Sequence, residues 1–322
     1  MPHVLVAGKL HPAGVALLES VARDGYTFDY VEEVSEPSYA PLIAKADALV
    51  IRTQPLSAAT VAKAAGLKVV SRHGVGYDAV DIAALNARGI ALTIVGDVNS
   101  VSVAEHAMMQ LLASAKRVLA ADHSVRGGEW GWRNRLESRE VTGKNLLIVG
   151  FGRVGRHLAR MAAGFQMQVR AYDPFLKEKG WPDGPVAPVA TLAEGLAWAD
   201  CVSVHIPKGD TPLIGAAEIA AMKPGVILAN TARGGIVVEE ALRDALASGH
   251  VFGAGVDVFD AEPPQSGGAF AEQHNALLSP HIAGLTAECA ERMAVASVQN
   301  VIDYFNSSIN PELVINREAL PA

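Results

Sequence analysis

Short, largely apolar runs punctuate the first third of the chain, at residues 4–7, 48–51 and 67–70, and residues 15–21 between the first two have helical spacing. A run of four to eight apolar residues with no polar alternation reads as a strand covered on both faces, as in a parallel sheet. Gly66, Gly74, Gly76 and Asp78 mark turns between such elements. The pattern changes at Asn99-Ser100-Val101-Ser102. From about 103 to 125 the chain is rich in Ala, Leu and Met, Ser102 and Glu105 have capping-box spacing, and Gly127-Gly128 stop the run. One helix of about 22 residues, about 33 Å long, is predicted there. From Thr142 a second alternation begins. Its strands are predicted at 145–149, 168–172, 200–205, 225–230 and 252–258, and its helices near 154–164, 192–199, 216–222 and 238–248. A last helical pattern, 286–306, would carry the chain back to the first domain. The predicted fold class is α/β: two Rossmann-like, doubly wound parallel-sheet domains linked by long helices.

Composition narrows the function classes. The chain has 322 residues, half of them apolar and 19% charged, which excludes disorder and suits two domains. A net charge of −7 is a poor start for binding nucleic acid, where Lys and Arg must replace counterions. Cys201 and Cys289 are too few for a disulfide framework and suit a reducing cytosol. Residues 1–10 lack a secretory pattern, and no apolar run approaches the roughly 18–20 residues of a membrane span. The expectation is a cytoplasmic protein with no membrane or nucleic-acid partner.

The strongest motif is Val149-Gly150-Phe151-Gly152-Arg153-Val154-Gly155, a G-x-G-x-x-G turn between a predicted strand and a predicted helix. Gly150 permits the tight turn, Gly152 lets a pyrophosphate approach the backbone, and Gly155 lets the helix pack on the strand. The diphosphate would sit at the helix N-terminus. Asp173 ends the next strand 18 residues beyond Gly155, close to the spacing of a carboxylate that binds the adenosine ribose and repels a 2′-phosphate, so NAD is expected over NADP. The alternative is a structural turn followed by a surface Asp. Arg153 either contacts a phosphate or is solvated.

Three further segments follow predicted strands. In Asn230-Thr231-Ala232-Arg233-Gly234-Gly235, Arg233 offers a planar fork for a carboxylate, or is a surface Arg at a helix start. Asp257 lies in the second, which continues to Glu262-Pro263-Pro264. In the third, Ser279-Pro280-His281-Ile282-Ala283-Gly284, His281 is a candidate acid/base that Glu262 would orient.

These segments, with Ser71-Arg72-His73-Gly74-Val75-Gly76-Tyr77-Asp78, Val80-Asp81 and Val103-Ala104-Glu105-His106, resemble the D-isomer-specific 2-hydroxyacid dehydrogenase family, especially its short phosphoglycerate dehydrogenase-like members. The similarity covers nearly the whole chain. It implies an NAD-binding domain at 99–285 and a flavodoxin-like substrate domain made of 1–98 and 286–322, with the active site in the cleft between. It implies that Arg233 holds the substrate carboxylate, that His281 donates a proton to the carbonyl oxygen as hydride arrives, and that Glu262 tunes His281. Asp257 would meet the nicotinamide end. Gly150, Gly152, Arg153, Val154, Gly155, Asp173, Pro174, His205, Ile206, Pro207, Thr231, Ala232 and Gly284 would line the cofactor, and Gly74, Val75 and Gly76 the substrate carboxylate. No metal ligand is assigned.

One departure, a pair of arginines and one segment bear on specificity and assembly. Lys208 follows Pro207 where many members carry Leu. Arg52 and Arg72, beside His73, suit a second anionic group such as a phosphate, or are surface residues, in which case hydroxypyruvate or glyoxylate is the expected substrate. Trp130 and Trp132 lie in a segment that helps form the family's dimer, so a homodimer is expected. The resemblance also extends to NAD(H)-sensing corepressors. It extends to formate dehydrogenases too, whose His is paired with Gln, against which Glu262 argues.

Overall fold

The computed structural model describes residues 1–320, and the chain divides into two compact units, Met1–Asn99 with the chain from Leu285 onward, and Ser100–Gly284. Everything below concerns the described residues.

The first unit is a five-stranded parallel sheet of β1 (His3–Ala7), β2 (Thr27–Val31), β3 (Ala48–Ile51), β4 (Val69–Arg72) and β5 (Ala91–Thr93), in the order β2-β1-β3-β4-β5. That is the flavodoxin-like order, with the reversal of winding between β1 and β3. Leu5, Leu49 and Val70 face one core with Tyr39, Ile43, Val61 and Leu85. Val4, Val6 and Val50 face another with Leu18, Ala294, Val298 and Val301. Two-sided burial is why these strands carry no polar alternation. The helix Ala287–Phe305, capped by Thr286 accepting from the Cys289 amide at 3.1 Å, belongs to this unit. It lies on the helix Pro12–Ala22, where a Cβ on Gly14 would come within 2.8 Å of the Ala294 Cβ. Each of its buried Met and Val side chains contributes roughly 1.5–3 kcal/mol.

The second unit is a seven-stranded parallel sheet. Its strands are β6 (Asn145–Val149), β7 (Gln168–Tyr172), β8 (Ala187–Pro188), β9 (Cys201–Val204), β10 (Val226–Asn230), β11 (Val251–Val256) and β12 (Ala276–Leu278). Their order is β12-β11-β10-β9-β6-β7-β8, so winding reverses between β9 and β6. Leu147, Val149, Val202 and Leu228 pack into one face layer, and Leu146, Ile148, Ile227 and Ala229 into the other.

The predicted long helix is two helices, Ser100–Lys116 and Val118–Arg126. Arg117 between them is left-handed, at φ 53° and ψ 41°, a conformation that costs a non-glycine residue about 1–3 kcal/mol. Its guanidinium lies 3.8 Å from the Phe252 ring centroid, as the Arg139 guanidinium does at 3.6 Å. Such a tertiary contact leaves no trace in local helix propensity. The expected capping box is also absent: the helix already runs at Ser100, so Ser102 and Glu105 sit inside it. Strand edges differ from expectation where chemistry begins. β11 stops at Val256, before Asp257, and β4 extends to Arg72. No helix is long and apolar enough to cross a membrane.

Candidate active site

Parallel strands share one carboxyl edge, and in the second unit that edge collects the predicted groups. Past β7 stands Asp173, past β6 the glycine turn, past β9 His205, Ile206 and Pro207. Past β10 stands Arg233, past β11 Asp257 and Glu262, and past β12 His281. β10 and β12 flank β11, so Arg233 and His281 rise from strands about 10 Å apart. Ligands of open α/β sheets bind at this edge, where the winding reverses.

The glycine turn separates three roles. Gly150 has φ 99°, and a Cβ there would lie 2.7 Å from the His205 carbonyl. A Cβ on Gly155, in the helix Arg153–Gly164, would lie 2.3 Å from the Gly150 carbonyl oxygen. Both glycines serve chain packing. Gly152 is exposed, caps the helix without a side-chain bond, and a Cβ there would meet nothing within 4 Å. That open space, at a helix end whose amides point outward, fits a diphosphate. Arg153 is exposed beside it and Val154 half-buried.

Asp173 ties the turn to the end of β7. Its Oδ2 accepts from the Phe151 amide at 2.9 Å and its Oδ1 from the Leu176 amide at 3.1 Å, so it also caps the short helix that begins at Pro174. A carboxylate has about four acceptor positions. Those left free fit a ribose diol.

His205 differs from expectation. Its ring is enclosed between the Ser203 hydroxyl, 2.8 Å from Nε2, and the Thr231 hydroxyl, 3.4 Å from Nδ1, and burial lowers its pKa to about 3. The ring therefore stays neutral inside the sheet. It is the His205 carbonyl and the Ile206 methyl that pack against Gly150, while Pro207 is exposed.

The arginine turn is clamped by Asn230, whose Oδ1 accepts from the Ala232 amide at 3.1 Å and whose Nδ2 donates to the Arg233 carbonyl at 3.1 Å. Thr231 and Ala232 are buried and Arg233 half-buried, with Nη1 donating to the Ala232 carbonyl at 2.7 Å. Gly234 is required here: a Cβ would fall 1.8 Å from the Phe259 carbonyl oxygen. The arginine turn thus packs directly on the loop that carries Glu262. Lys208 passes over Gly235, its Nζ 2.9 Å from the position a Cβ would take.

Glu262 Oε2 pairs with His281 Nδ1 at 2.7 Å, while its Oε1 accepts from the Phe259 amide at 3.0 Å. The carboxylate fixes Nδ1 as the donor and leaves Nε2 for a ligand. The His281 side chain is 50% exposed, so that nitrogen is reachable. His281 itself is left-handed, at φ 52°.

Asp257 also departs from expectation. It is wholly buried, and its oxygens are taken up by the loop that follows β12. Oδ1 accepts from the Ser279 hydroxyl at 2.5 Å and the Ile282 amide at 3.0 Å, and Oδ2 from the Ala283 amide at 2.9 Å. It anchors the His281 loop, which continues through the half-buried Gly284, rather than opening toward a ligand. Ser279 and His106, which stand in motifs quoted above but were given no role, join this network with Gln110, which sequence reasoning missed. His106 Nε2 lies 2.9 Å from Ser279 Oγ, and Gln110 Nε2 donates to it at 3.4 Å. The spacing of His106 and Gln110, one helical turn apart, was the available signal.

In the first unit, Arg52, Gln54 and His73 follow β3 and β4, and Gly8 follows β1, beside the reversal of winding. Arg52 Nε, Gln54 Oε1 and His73 Nε2 are buried without a hydrogen-bond partner. Arg52 Nη1 donates to the Lys9 carbonyl and Arg72 Nη1 to the His73 carbonyl, each at 2.7 Å. Burial, with Arg52 and Arg72 nearby, lowers the His73 pKa to about 4. Gly74, Val75 and Gly76 form the turn after β4, and a Cβ on Gly74 would sit 3.2 Å from Arg72 Nη1.

Comparison with known proteins follows the same lines. The family described as D-isomer specific 2-hydroxyacid dehydrogenase, NAD binding domain, matches residues 108–283. D-3-phosphoglycerate dehydrogenase of Mycobacterium tuberculosis (strain ATCC 25618 / H37Rv) is 36% identical over 332 aligned positions, covering 100% of this chain and 61% of that protein. Glyoxylate reductase of Korarchaeum cryptofilum is 34% identical over 328 positions, covering 99% of this chain and 97% of that protein. The crystal structure of the TT0316 protein from Thermus thermophilus superposes with a TM-score of 0.86 at 32% identity, over 96% of this chain and 98% of that one. The chain spans about three fifths of the length of the phosphoglycerate dehydrogenases it matches.

Proposed function

We propose that this chain, which belongs to the D-isomer-specific 2-hydroxyacid dehydrogenase family and carries its NAD-binding domain, interconverts a small D-2-hydroxy acid and the matching 2-oxo acid. The observation that carries the reading is the 2.7 Å pair of Glu262 and His281 on the sheet edge that also bears the glycine turn. NAD, when bound, supplies and accepts the hydride. The open cradle at Gly152 would hold its diphosphate and Asp173 its ribose. Reduction of a 2-oxo acid builds negative charge on the carbonyl oxygen. Arg233 binds the substrate carboxylate and faces that charge, and His281 Nε2 donates the proton, taking it back in the reverse direction. Glu262 holds the ring and stabilises the imidazolium.

The cationic cluster of the first unit supports a substrate with a second anionic group, of the 3-phosphoglycerate type. What supports an anion receptor is the Arg52 Nε, buried without a hydrogen-bond partner, in a cluster with Arg72. A second reading, hydroxypyruvate or glyoxylate reduction, is supported by the likeness to a glyoxylate reductase, 34% identical over 99% of this chain. We further propose a cytoplasmic homodimer formed through the 118–136 segment, whose Val125, Trp130 and Leu136 are strongly exposed. Two buried free thiols suit that compartment.

Initial rates with NADH over phosphohydroxypyruvate, sulfopyruvate, hydroxypyruvate, glyoxylate and pyruvate test the reading. His281→Ala is expected to remove at least about a hundredfold of kcat and leave the NADH Kd within twofold. NADH binding without its oxidation by any of these acids would overturn the enzyme reading in favour of a sensor. Sedimentation equilibrium checks the dimer.

A further inference from the structure

We infer that His106 is a positioning residue for the acid/base histidine, acting through Ser279 and Asp257; this rests on the dehydrogenase reading above. Ser279 has a single hydroxyl proton, and it goes to Asp257 Oδ1 at 2.5 Å. The Ser279 oxygen must therefore accept from His106 Nε2 at 2.9 Å, which requires that ring nitrogen to carry a proton. Gln110, one turn further along the helix Ser100–Lys116, donates to the same oxygen at 3.4 Å. One helix face thus supplies two donors to one hub.

The hub leads to His281 from both sides. Asp257 takes the Ser279 hydroxyl before the histidine and the Ile282 and Ala283 amides after it, and its backbone carbonyl accepts from the His281 amide at 2.8 Å. These bonds hold His281 at its left-handed φ of 52°, a conformation that persists only where surroundings over-determine it. The carboxylate is wholly buried, and His106, 3.6 Å from Oδ1, is the basic side chain within 4 Å of it among the described residues. A buried charge needs such a neighbour. The helix has no room to drift, because a Cβ on Gly255 of β11 would lie 2.4 Å from Gln110 Cβ. His106 thus holds in place the loop that aims His281 without touching a reactant.

Two variants separate this role from bulk. His106→Leu keeps the volume and loses the donor, while His106→Gln keeps an amide donor near the Nε2 position. On the full chain, kcat, KM and NADH Kd are measured together with hydrogen exchange of the Ser279, His281, Ile282 and Ala283 amides. The Leu variant is expected to lose about 10–100-fold in kcat, with KM and NADH Kd within threefold, because an error of about 1 Å at a reacting group costs about a hundredfold. Its Ile282 and Ala283 amides should exchange at least tenfold faster. The Gln variant should return to within threefold of the parent in both. Should the Leu variant fail to fold, Ser279→Ala removes the hub and should give the same loss of kcat and of protection. Parent-like kcat and protection in the Leu variant, or equal losses in Leu and Gln, would overturn the inference. If the parent chain turns over none of the 2-oxo acids, the dehydrogenase reading fails instead. The exchange data then decide the anchoring alone: lost protection upholds it and unchanged protection overturns it.

Discussion

Exchanging Gly152 and Gly155 for alanine, one at a time, should separate cofactor binding from folding within a single turn. At Gly152 the added methyl meets nothing within 4 Å and φ is −75°, so the chain accommodates it. The cost is that of a poorer helix cap, less than about 1 kcal/mol. The methyl instead fills the space where the diphosphate would touch the backbone. Losing two charge-assisted hydrogen bonds of about 1.5 kcal/mol each weakens NADH by about 3 kcal/mol, or somewhat more than a hundredfold in Kd. At Gly155 the methyl would lie 2.3 Å from the Gly150 carbonyl oxygen and 3.0 Å from the Ile148 methyl, and backbone cannot swing aside. Overpacking of that severity costs about 3 kcal/mol, of which the better helix propensity of alanine returns about 1. In a unit of this size the remaining ~2 kcal/mol lowers Tm by about 4–8 °C. Fluorescence titration with NADH and thermal melts of the apo protein are the assays. A Gly152→Ala protein that binds NADH like the parent, or that melts lower than Gly155→Ala, would refute the assignment of roles within the turn.

Asp173→Asn should weaken NADH and narrow its preference over NADPH, read as the ratio of the two Kd values; an unchanged ratio removes Asp173 from the ribose site. Arg52→Met should raise KM at least tenfold for phosphohydroxypyruvate and leave that for pyruvate within twofold, since a charge-assisted contact is worth about 1.5–3 kcal/mol; equal effects on both acids would exclude a receptor for a second anion. His73 and His205 make stability fall with acid. Both are held neutral in the fold, to about pH 4 and about pH 3, whereas the unfolded chain protonates them near 6.5. Below pH 6.5 the unfolded state binds more protons, so each group costs stability progressively as the pH drops, about 3 kcal/mol for His73 by pH 4. His205→Gln should flatten the decline of Tm between pH 6.5 and 4, and a parallel decline would contradict the burial of that ring.

The sheet core was legible because strands buried on both faces are written as uninterrupted apolar runs. Of the strands that lack such a run, β7 (Gln168–Tyr172) was placed and others were not. β2, the edge strand Thr27–Val31, mixes polar residues into Thr-Phe-Asp-Tyr-Val, and β5 and β12 are three residues long. The placement of the candidate groups at strand ends was legible too: Arg233, Glu262 and His281 follow three adjacent strands, as their order along the chain suggested. What sequence hid was side-chain direction. Asp257 and His205 follow strands as Arg233 does, yet both turn inward to serve the scaffold, because Ser279 and the 282–283 amides claim one and Ser203 and Thr231 claim the other. The break at Arg117 was hidden for a like reason, since its partner Phe252 lies far along the chain.

The cover of β1 and β3 by the helix Ala287–Phe305 has a consequence for biosynthesis. Residues 1–99 leave the ribosome with one side of their sheet only partly covered, by the helix Pro12–Ala22, and the segment that completes the cover is translated roughly two hundred residues afterwards. At about 5–20 residues per second, Val4, Val6 and Val50 wait some 10–40 s for Val298 and Val301. The half begun first is thus the half completed last. During that interval the nascent chain carries an adhesive apolar face, so a nascent-chain chaperone that shields such surfaces should be found on translation intermediates stalled before residue 287.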